Sequence, residues 1–480
     1  MSGKKYDIGL VGLAVMGQNL VLNMEAKGYS VAVYNRTGIK TKKFIQERAQ
    51  QKKIKPFYNI EEFIASLQKP RQIIILVKAG SPVDKVINSL KPHLEQGDII
   101  IDGGNSFFQD TERRHDLLSQ QGFLYLGMGI SGGEYGALHG PSIMPGGSKE
   151  AYSEIKEIFT AIAAKTEDGP CVTYLGPGAS GHYVKMVHNG IEYAVMEIIA
   201  EIYYMMRKVL KLTPFEMSKL FREWNREHKS YLLEITHKIL DTEDEESGKP
   251  LIDIILDRSR QKGTGKWTVD ESMNLGVPTP TIVAGVNARY LSASKGEREK
   301  IAASFEPETK GNNTTITVED EEKMIADMHD SLYLAIVIAY AEGMKLLQIA
   351  SEEYSLGLDL QEVARIWEDG CIIRSALLKP IQQAYHENPD LINLIISGRF
   401  VEKFKTRVDS WRCIVTQAGK LGIPVPALSS ALTYFDSLKS EKLPANMIQA
   451  QRDYFGAHTY EKIDKEGQFH TEWQDIHNIT

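Results

Sequence analysis

Two rhythms of apolar residues divide this chain. In the first third, short apolar runs lie between turn residues: Tyr6 to Val11, Tyr29 to Tyr34, Ile73 to Val77 and Asp98 to Asp102. Runs of this length with such boundaries predict buried strands. A helical pattern, Gln18 to Lys27, separates the first two, giving the order strand, turn, helix, strand. From about Ala179 the strand signals fade. Helical spacing then dominates to about Lys439, which predicts an all-helical region. The expected organisation is an α/β domain over 1–178, an all-α domain over 179–439 and a C-terminal tail over 440–480. The apolar run Leu332 to Ala341 is half what a membrane span needs, and predicts a buried helix.

One helical segment concentrates polar chemistry: Lys185-Met-Val-His188-Asn189-Gly-Ile-Glu192. At about 100° per residue, Lys185, His188, Asn189 and Glu192 share a quarter to a third of the circumference. Val184, Val187, Ile191, Val195, Ile198 and Ile202 form the adjoining apolar stripe. The stripe anchors the helix, and its edge presents an amine, an imidazole, an amide and a carboxylate. Lys185 and Glu192 lie about 10 Å apart along the axis, enough to serve different parts of one small substrate. A weak internal echo aligns His188–Glu201 with His329–Glu342. It shares His188/His329, Ala194/Ala335, Ala200/Ala341 and Glu201/Glu342, while Ala326 stands opposite Lys185 and Tyr333 opposite Glu192. If this is an old duplication, only the first copy keeps an acid–base pair.

The turn Gly12-Leu13-Ala14-Val15-Met16-Gly17 follows the first strand and opens the first helix. Such a turn leaves backbone N–H groups at a helix N-terminus to receive a pyrophosphate. Ala14 replaces the usual middle glycine, so its methyl is expected to hold the pyrophosphate slightly further out. Asn35-Arg36-Thr37 stands where NAD-binding chains carry an acidic residue. Arg36 can pair with a 2′-phosphate and stack on adenine, which makes NADP the expected cofactor. Val77-Lys78-Ala79 and Gly103-Gly104-Asn105-Ser106 end later strands, where open α/β sheets bind ligands. Gly127 to Gly147 holds eight glycines in 21 residues, Ser131-Gly132-Gly133 among them. Close backbone approach to a ligand, or an elaborate turn, would account for that entropic cost.

Net charge is −7, from 56 basic and 63 acidic residues, so no global basic field points to nucleic acid or an anionic membrane. Any anionic ligand needs local charges. Cys171, Cys371 and Cys413 are too few and too far apart for a disulfide framework or a zinc set, and no metal is expected. A reducing cytoplasm fits. The apolar stretch after Lys4 and Lys5 lacks a convincing cleavage site and reads as strand rather than signal peptide. Gln261 to Trp267 is basic and Gly-rich. It fails P-loop spacing but can hold a phosphate through Lys262 and Thr264. Arg289 falls on a predicted helix. In the tail, Arg452 and His458 stand among Tyr454, Phe455 and Tyr460, which are costly to leave in solvent.

Together these segments closely resemble the 6-phosphogluconate dehydrogenase family, decarboxylating enzymes of the pentose phosphate pathway, almost end to end. The resemblance is carried by the motifs at 12–17, 35–37, 102–106, 131–133, 185–193, 261–267 and 448–460. Ala14 is ordinary within that family. The resemblance implies a Rossmann-type domain, a large all-helical domain built from a duplicated unit, and a homodimer whose tail reaches the partner subunit. It implies that Asn105, Ser131, Gly132, Gly133, His188, Asn189 and Glu192 surround 6-phosphogluconate. Tyr193, Lys262, Thr264 and Arg289 would hold its phosphate end, with Arg452 and His458 coming from the other chain.

Oxidising a 3-hydroxy acid needs a base, and Lys185 is the candidate when neutral. An unperturbed lysine has a pKa of ~10.4, so the site must lower it by desolvation or nearby positive charge. Once protonated, Lys185 can polarise the new 3-keto group. Glu192, if protonated, can deliver a proton to carbon 1 of the forming ribulose 5-phosphate after carbon dioxide leaves. His188 and Asn189 read as positioning groups. The competing readings are another β-hydroxyacid dehydrogenase with a small unphosphorylated substrate, and a non-catalytic NADP-binding protein.

Overall fold

The computed structural model describes residues 5–305 and 318–473. The apolar runs of the first third assemble into one seven-stranded sheet of order β3-β2-β1-β4-β5-β6-β7. Its strands are β1 (Ile8–Val11), β2 (Val31–Tyr34), β3 (Ile54–Phe57), β4 (Gln72–Ile75), β5 (Ile99–Asp102), β6 (Leu124–Ile130) and β7 (Ile143–Gly147). All pairs are parallel except β6 with β7. Leu10 pairs with Val33 on one side and Ile74 on the other. Leu10, Val33, Ile74 and Ile101 pack into the core on one face, and Val11, Ala32, Ile73 and Ile100 into the core on the other. Burial on both faces explains why these strands read as continuous apolar runs. The strand order reverses between β1 and β4, the switch point where open α/β sheets bind ligands.

The glycine-rich stretch 127–147 is not a single turn. It forms the end of β6, a short helix (Gly133–His139) and β7. Three of its glycines serve packing against the helix Ser180–Met205. A Cβ on Gly127 would lie 2.9 Å from His182 Nδ1, one on Gly129 2.4 Å from Lys185 Cβ, and one on Gly146 2.2 Å from Ser180 Oγ. The helix therefore lies almost directly on the sheet backbone, carrying its polar edge towards the end of β6.

The helix Ser180–Met205 has 26 residues. Val184, Val187, Ile191, Val195, Ile198 and Ile202 are all buried, as their spacing requires. The helix Val318–Glu353, 36 residues long, contains the expected buried run Leu332 to Ala341. By length and composition it could cross a membrane, but its apolar stretch is largely buried within the protein. Each of these helices ends its aligned segment on a glutamate that caps another helix. Glu201 accepts from the Ala427 and Leu428 amides at 2.6 and 2.8 Å, at the start of the helix Pro426–Lys439. Glu342 accepts from the Thr281 and Ile282 amides at 2.9 and 3.0 Å, at the start of the helix Pro280–Ala293.

The chain groups into two compact units, Met1–Ala431 and Leu432–Thr480. The second contains the helix Ala445–Gly456, followed by a reversal that pairs Tyr460 with Phe469. Asp453 is its hub. The carboxylate accepts from the Thr459 and Thr471 amides, His470 Nδ1 and Trp473 Nε1, at 3.0, 3.1, 2.9 and 2.8 Å. Burial pushes its carboxyl up, but these donors outweigh burial and hold it down at about 2.

Candidate active site

The dinucleotide turn is built as its sequence requires. Gly12 has φ of +108°, and a Cβ there would lie 2.2 Å from the Leu76 carbonyl oxygen. A Cβ on Gly17 would lie 2.0 Å from the Gly12 oxygen. Ala14 sits at φ −76°, so alanine fits without strain. It is the N-cap of the helix Val15–Ala26 and offers no side-chain cap, which leaves the first amides open to an anion. That helix begins three residues before the expected Gln18, because the turn closes within Gly12–Ala14. Asn35 ties the loop after β2 to this turn by accepting from the Leu13 amide at 3.2 Å. Arg36 and Thr37 are exposed beside it, and Arg36 has no ion-pair partner among the described residues. Val77, Lys78 and Ala79 follow β4, with Lys78 exposed. Asn105 is exposed after β5. Its loop is fixed by Asp102, which accepts from the Gly104 amide at 3.1 Å and from Ser106 Oγ at 2.6 Å. Open helix amides, a guanidinium without an ion-pair partner among the described residues and a tight glycine turn fit an NADP pyrophosphate and 2′-phosphate.

Beyond the end of β6, the helix Ser180–Met205 presents its polar edge. Lys185 Nζ donates to Asn189 Oδ1 at 2.6 Å and lies 3.3 Å from His188 Nδ1 and 3.4 Å from Ser131 Oγ. With Nδ1 accepting from Lys185, His188 donates through Nε2 to Ser131 Oγ at 3.2 Å. Asn189 Nδ2 reaches Thr264 Oγ1 at 2.9 Å. Glu192 Oε2 lies 3.8 Å from His188 Nδ1. No ion pair joins Lys185 to Glu192 among the described residues, which removes a structural salt bridge as the reason for the pair.

Desolvation dominates the electrostatics. It draws the Lys185 ammonium below the usual lysine range, against the opposing pull of Glu192. It raises the Glu192 carboxyl, although Lys185, Arg289 and Lys262 act in the other direction. Burial, aided by Lys185, holds His188 well below an ordinary histidine. Two groups on one helix are thus moved towards each other's protonation states, an amine towards neutrality and a carboxyl towards protonation.

Around this edge, the Arg289 guanidinium stacks 3.5 Å over the Tyr193 ring. Lys262 is exposed, just before the helix Thr264–Asn274. Gly132 and Gly133 have φ of +107° and +60°. In the tail unit, Arg452 is exposed with Nη1 3.1 Å from Gln449 Oε1, and His458 packs edge-on to Phe455. One group on the helix Phe108–Ser119, Glu112, His115 and Asp116, clusters potential metal-ligand atoms, but Glu112 is already engaged by the Ala179 amide at 2.7 Å.

Residues 7–176 match the family profile described as the NAD binding domain of 6-phosphogluconate dehydrogenase, and residues 181–473 match its C-terminal domain. The chain belongs to the 6-phosphogluconate dehydrogenase family. It is 51% identical to the decarboxylating 6-phosphogluconate dehydrogenase of Synechococcus elongatus, over 97% of this chain and 99% of the relative. It is 50% identical to the NADP(+)-dependent decarboxylating enzyme of Bacillus subtilis, over 98% and 99%. Among solved structures it resembles Plasmodium falciparum 6-phosphogluconate dehydrogenase, determined in its apo form and in complexes with NADP+ and with 6-phosphogluconate. That match has a TM-score of 0.92 at 46% identity, covering 97% of this chain and all of that one.

Of the site residues expected from the sequence, the structure brings Lys185, His188, Asn189, Ser131 and Thr264 into one hydrogen-bonded cluster, with Glu192 beside it. Three supports escaped sequence reasoning. Trp367 packs edge-on to His188 with centroids 5.6 Å apart. A Cβ on Gly190 would lie 2.5 Å from Thr268, so this glycine admits the helix that carries Thr264. Gly129 makes room for the Lys185 stem. The alternation of glycine in Gly127-Met-Gly129 was the available signal for close helix-on-sheet packing.

Proposed function

We propose that this chain oxidises and decarboxylates 6-phosphogluconate to ribulose 5-phosphate and carbon dioxide, with NADP as acceptor, in the cytoplasm. The observation that carries the reading is the buried Lys185–Glu192 helix edge, where desolvation favours a neutral amine and a protonated carboxyl. Lys185 takes the proton of the carbon-3 hydroxyl while Asn189 and His188 fix its position. Bound NADP supplies the acceptor for the hydride leaving carbon 3. The protonated Lys185 then donates to the carbonyl oxygen at carbon 3. Loss of carbon dioxide from carbon 1 leaves its bonding pair in an enediol. Glu192 delivers a proton to the former carbon 2, which becomes carbon 1 of ribulose 5-phosphate, while Lys185 takes back the hydroxyl proton at the former carbon 3. Arg289, Tyr193, Lys262 and Thr264 hold the phosphate end, and Asn105 with Ser131, Gly132 and Gly133 holds the sugar acid. Measuring NADPH and carbon dioxide together tests this. One of each per 6-phosphogluconate is expected. NADPH without carbon dioxide would indicate simple hydroxyacid oxidation, and neither would indicate a non-catalytic binding protein.

Cofactor choice rests on Arg36. Arg36→Ala should weaken NADP by on the order of 1.5–3 kcal/mol and leave NAD nearly unchanged. Equal weakening in titrations of both would remove Arg36 as the discriminator.

The protein acts as a homodimer whose tail completes the partner's site. In support, the tail hook carries Arg452 and His458 beside Phe455 and Ile448, which remain 72% and 60% exposed. Arg452→Ala should lose substrate affinity and Lys185→Met should be inactive. Mixed dimers of the two variants should hold one intact site each. Random exchange then restores roughly a quarter of wild-type activity. Exchange confirmed by mass, with activity no greater than the sum of the parents, would refute the trans arrangement.

A further inference from the structure

At the end of the helix Val15–Ala26 opposite the dinucleotide turn, about 18 Å along its axis, the surface sinks into a cavity of about 380 Å³. Lys27, His139, Lys165 and Arg374 line it, and Asp369 is the one acid among its lining residues. The Lys27 and Lys165 ammonium groups have no hydrogen-bond or ion-pair partner among the described residues. Arg374 stacks 4.0 Å over the Tyr231 ring, donates to the Cys371 carbonyl at 3.1 Å, and lies 3.4 Å from the Asp369 carboxylate and 3.9 Å from that of Glu234. In a chain of net charge −7, a concave surface with this cation excess focuses a local positive field. Of its lining residues only Gly132 has a place in the proposed reaction, and none of the cations does.

The floor of the cavity links it to the substrate cluster. It is made by Gly132 and Gly370, which approach so closely that a Cβ on Gly132 would lie 2.5 Å from the Gly370 oxygen. That oxygen also accepts from the Ser142 amide at 2.8 Å. Ser131, next to Gly132, faces Lys185 and His188 on the other side. Trp367, three residues before Gly370, packs against His188. The segment from Trp367 to Gly370 therefore borders the cavity on one side and the reactive helix edge on the other.

We propose that this cavity binds a small phosphorylated anion and that its occupancy weakens 6-phosphogluconate binding. The anion sits between the Lys27 and Lys165 ammonium groups and the Arg374 guanidinium. It competes with Asp369 and Glu234 for Arg374, which loosens the turn behind Gly132 and shifts Ser131. The coupling rests on the reading of Ser131 as a substrate contact. Binding rests on the cavity alone.

Inorganic pyrophosphate is the probe. Calorimetric titration into the homodimer, with 6-phosphogluconate and NADPH filling the active site, should show one site per chain. Lys27→Ala combined with Lys165→Ala removes two exposed, unpartnered amines, so folding and basal kinetics should persist. Affinity for pyrophosphate should fall by about tenfold or more. In turnover assays pyrophosphate should raise the apparent KM for 6-phosphogluconate to a plateau of about fivefold, as a finite coupling free energy requires. The double variant should lose the plateau. No site in the saturated enzyme, or equal binding by the double variant, overturns the proposal. So does a KM that climbs without limit in both proteins, which places pyrophosphate in the active site itself. Binding without any change in KM overturns the coupling. A chain inactive towards 6-phosphogluconate would instead defeat the proposed function, and titration without substrate would still read the cavity.

Discussion

His188 in the helix Ser180–Met205 and His329 in the helix Val318–Glu353 occupy aligned positions, yet they meet different neighbours. His188 contacts Lys185, Asn189 and Ser131, all able to face a small substrate. His329 bonds to His228, with Nε2 atoms 2.9 Å apart, and stacks on Trp224. Ala326 replaces Lys185, and Tyr333, lying under Arg407, replaces Glu192. At the far end of the alignment nothing differs in kind, since Glu201 and Glu342 each cap a helix. The position that holds the helices together is retained in both. In one helix the positions that bear chemistry carry polar groups with shifted protonation; in the other, Tyr333 and His329 are taken up by packing and Ala326 is exposed.

The largest effect is expected where the helices differ most. Lys185→Met should lower turnover by about 10²–10⁴-fold and leave NADP binding near normal, because the Gly12–Gly17 turn is untouched. Ala326→Lys, at the aligned exposed position of the long helix, should leave turnover unchanged. Near-normal turnover by the Lys185 variant would end the mechanism. A large loss from Ala326→Lys would show that the long helix also reaches the site.

The paired histidines give a pH test. Burial, with His329 and Arg407 adding to it, holds His228 down at about 3 against an ordinary 6.5. A histidine depressed in the fold stabilises it above the unfolded pKa, and that stability is lost as pH falls from 6.5 towards 3. Glu227 and Asp330 near His329 oppose the shift there, but burial still lowers it. Between pH 7 and pH 5 the wild type should lose about 2 kcal/mol through His228, read from urea midpoints. His228→Gln should flatten that dependence. An unchanged slope would mean that the pair is not held neutral.

The chain shows its local periodicities and conceals its long-range contacts. The strand–turn–helix start, the apolar stripe and the four-residue polar edge follow from spacing and are present as expected. β3 was missed because Lys55 and Pro56 interrupt its apolar character. β6 and β7 were missed because glycines that admit the helix Ser180–Met205 resemble a ligand loop. Trp367 lies far along the chain from His188, so no window of sequence joins them. The tail hook was legible as aromatic residues around Arg452, but not its organisation around Asp453, whose donors follow it after a reversal.

The smallest predicted effect tests what the two helices share. Leu275-Gly-Val-Pro-Thr-Pro280 and Leu421-Gly-Ile-Pro-Val-Pro426 are similar six-residue segments, each opening a helix. Each is capped by the glutamate of the other half, Glu342 on the first and Glu201 on the second. Burial raises both carboxyls to about 8 despite the amides. A carboxyl raised in the fold contributes stability that is full below its unfolded pKa and is lost as pH rises through 8. Glutamine keeps one acceptor and turns an N–H towards the other amide. Glu201→Gln and Glu342→Gln should each therefore cost on the order of 1 kcal/mol near pH 7, and both should weaken the loss of stability between pH 6 and 9. Turnover should persist in both, because each caps a helix away from Lys185. Matching losses would support one shared structural role. If Glu201→Gln abolished turnover while Glu342→Gln did not, the cap on the site helix would belong to the chemistry, and the equivalence of the two helices at this end would fail.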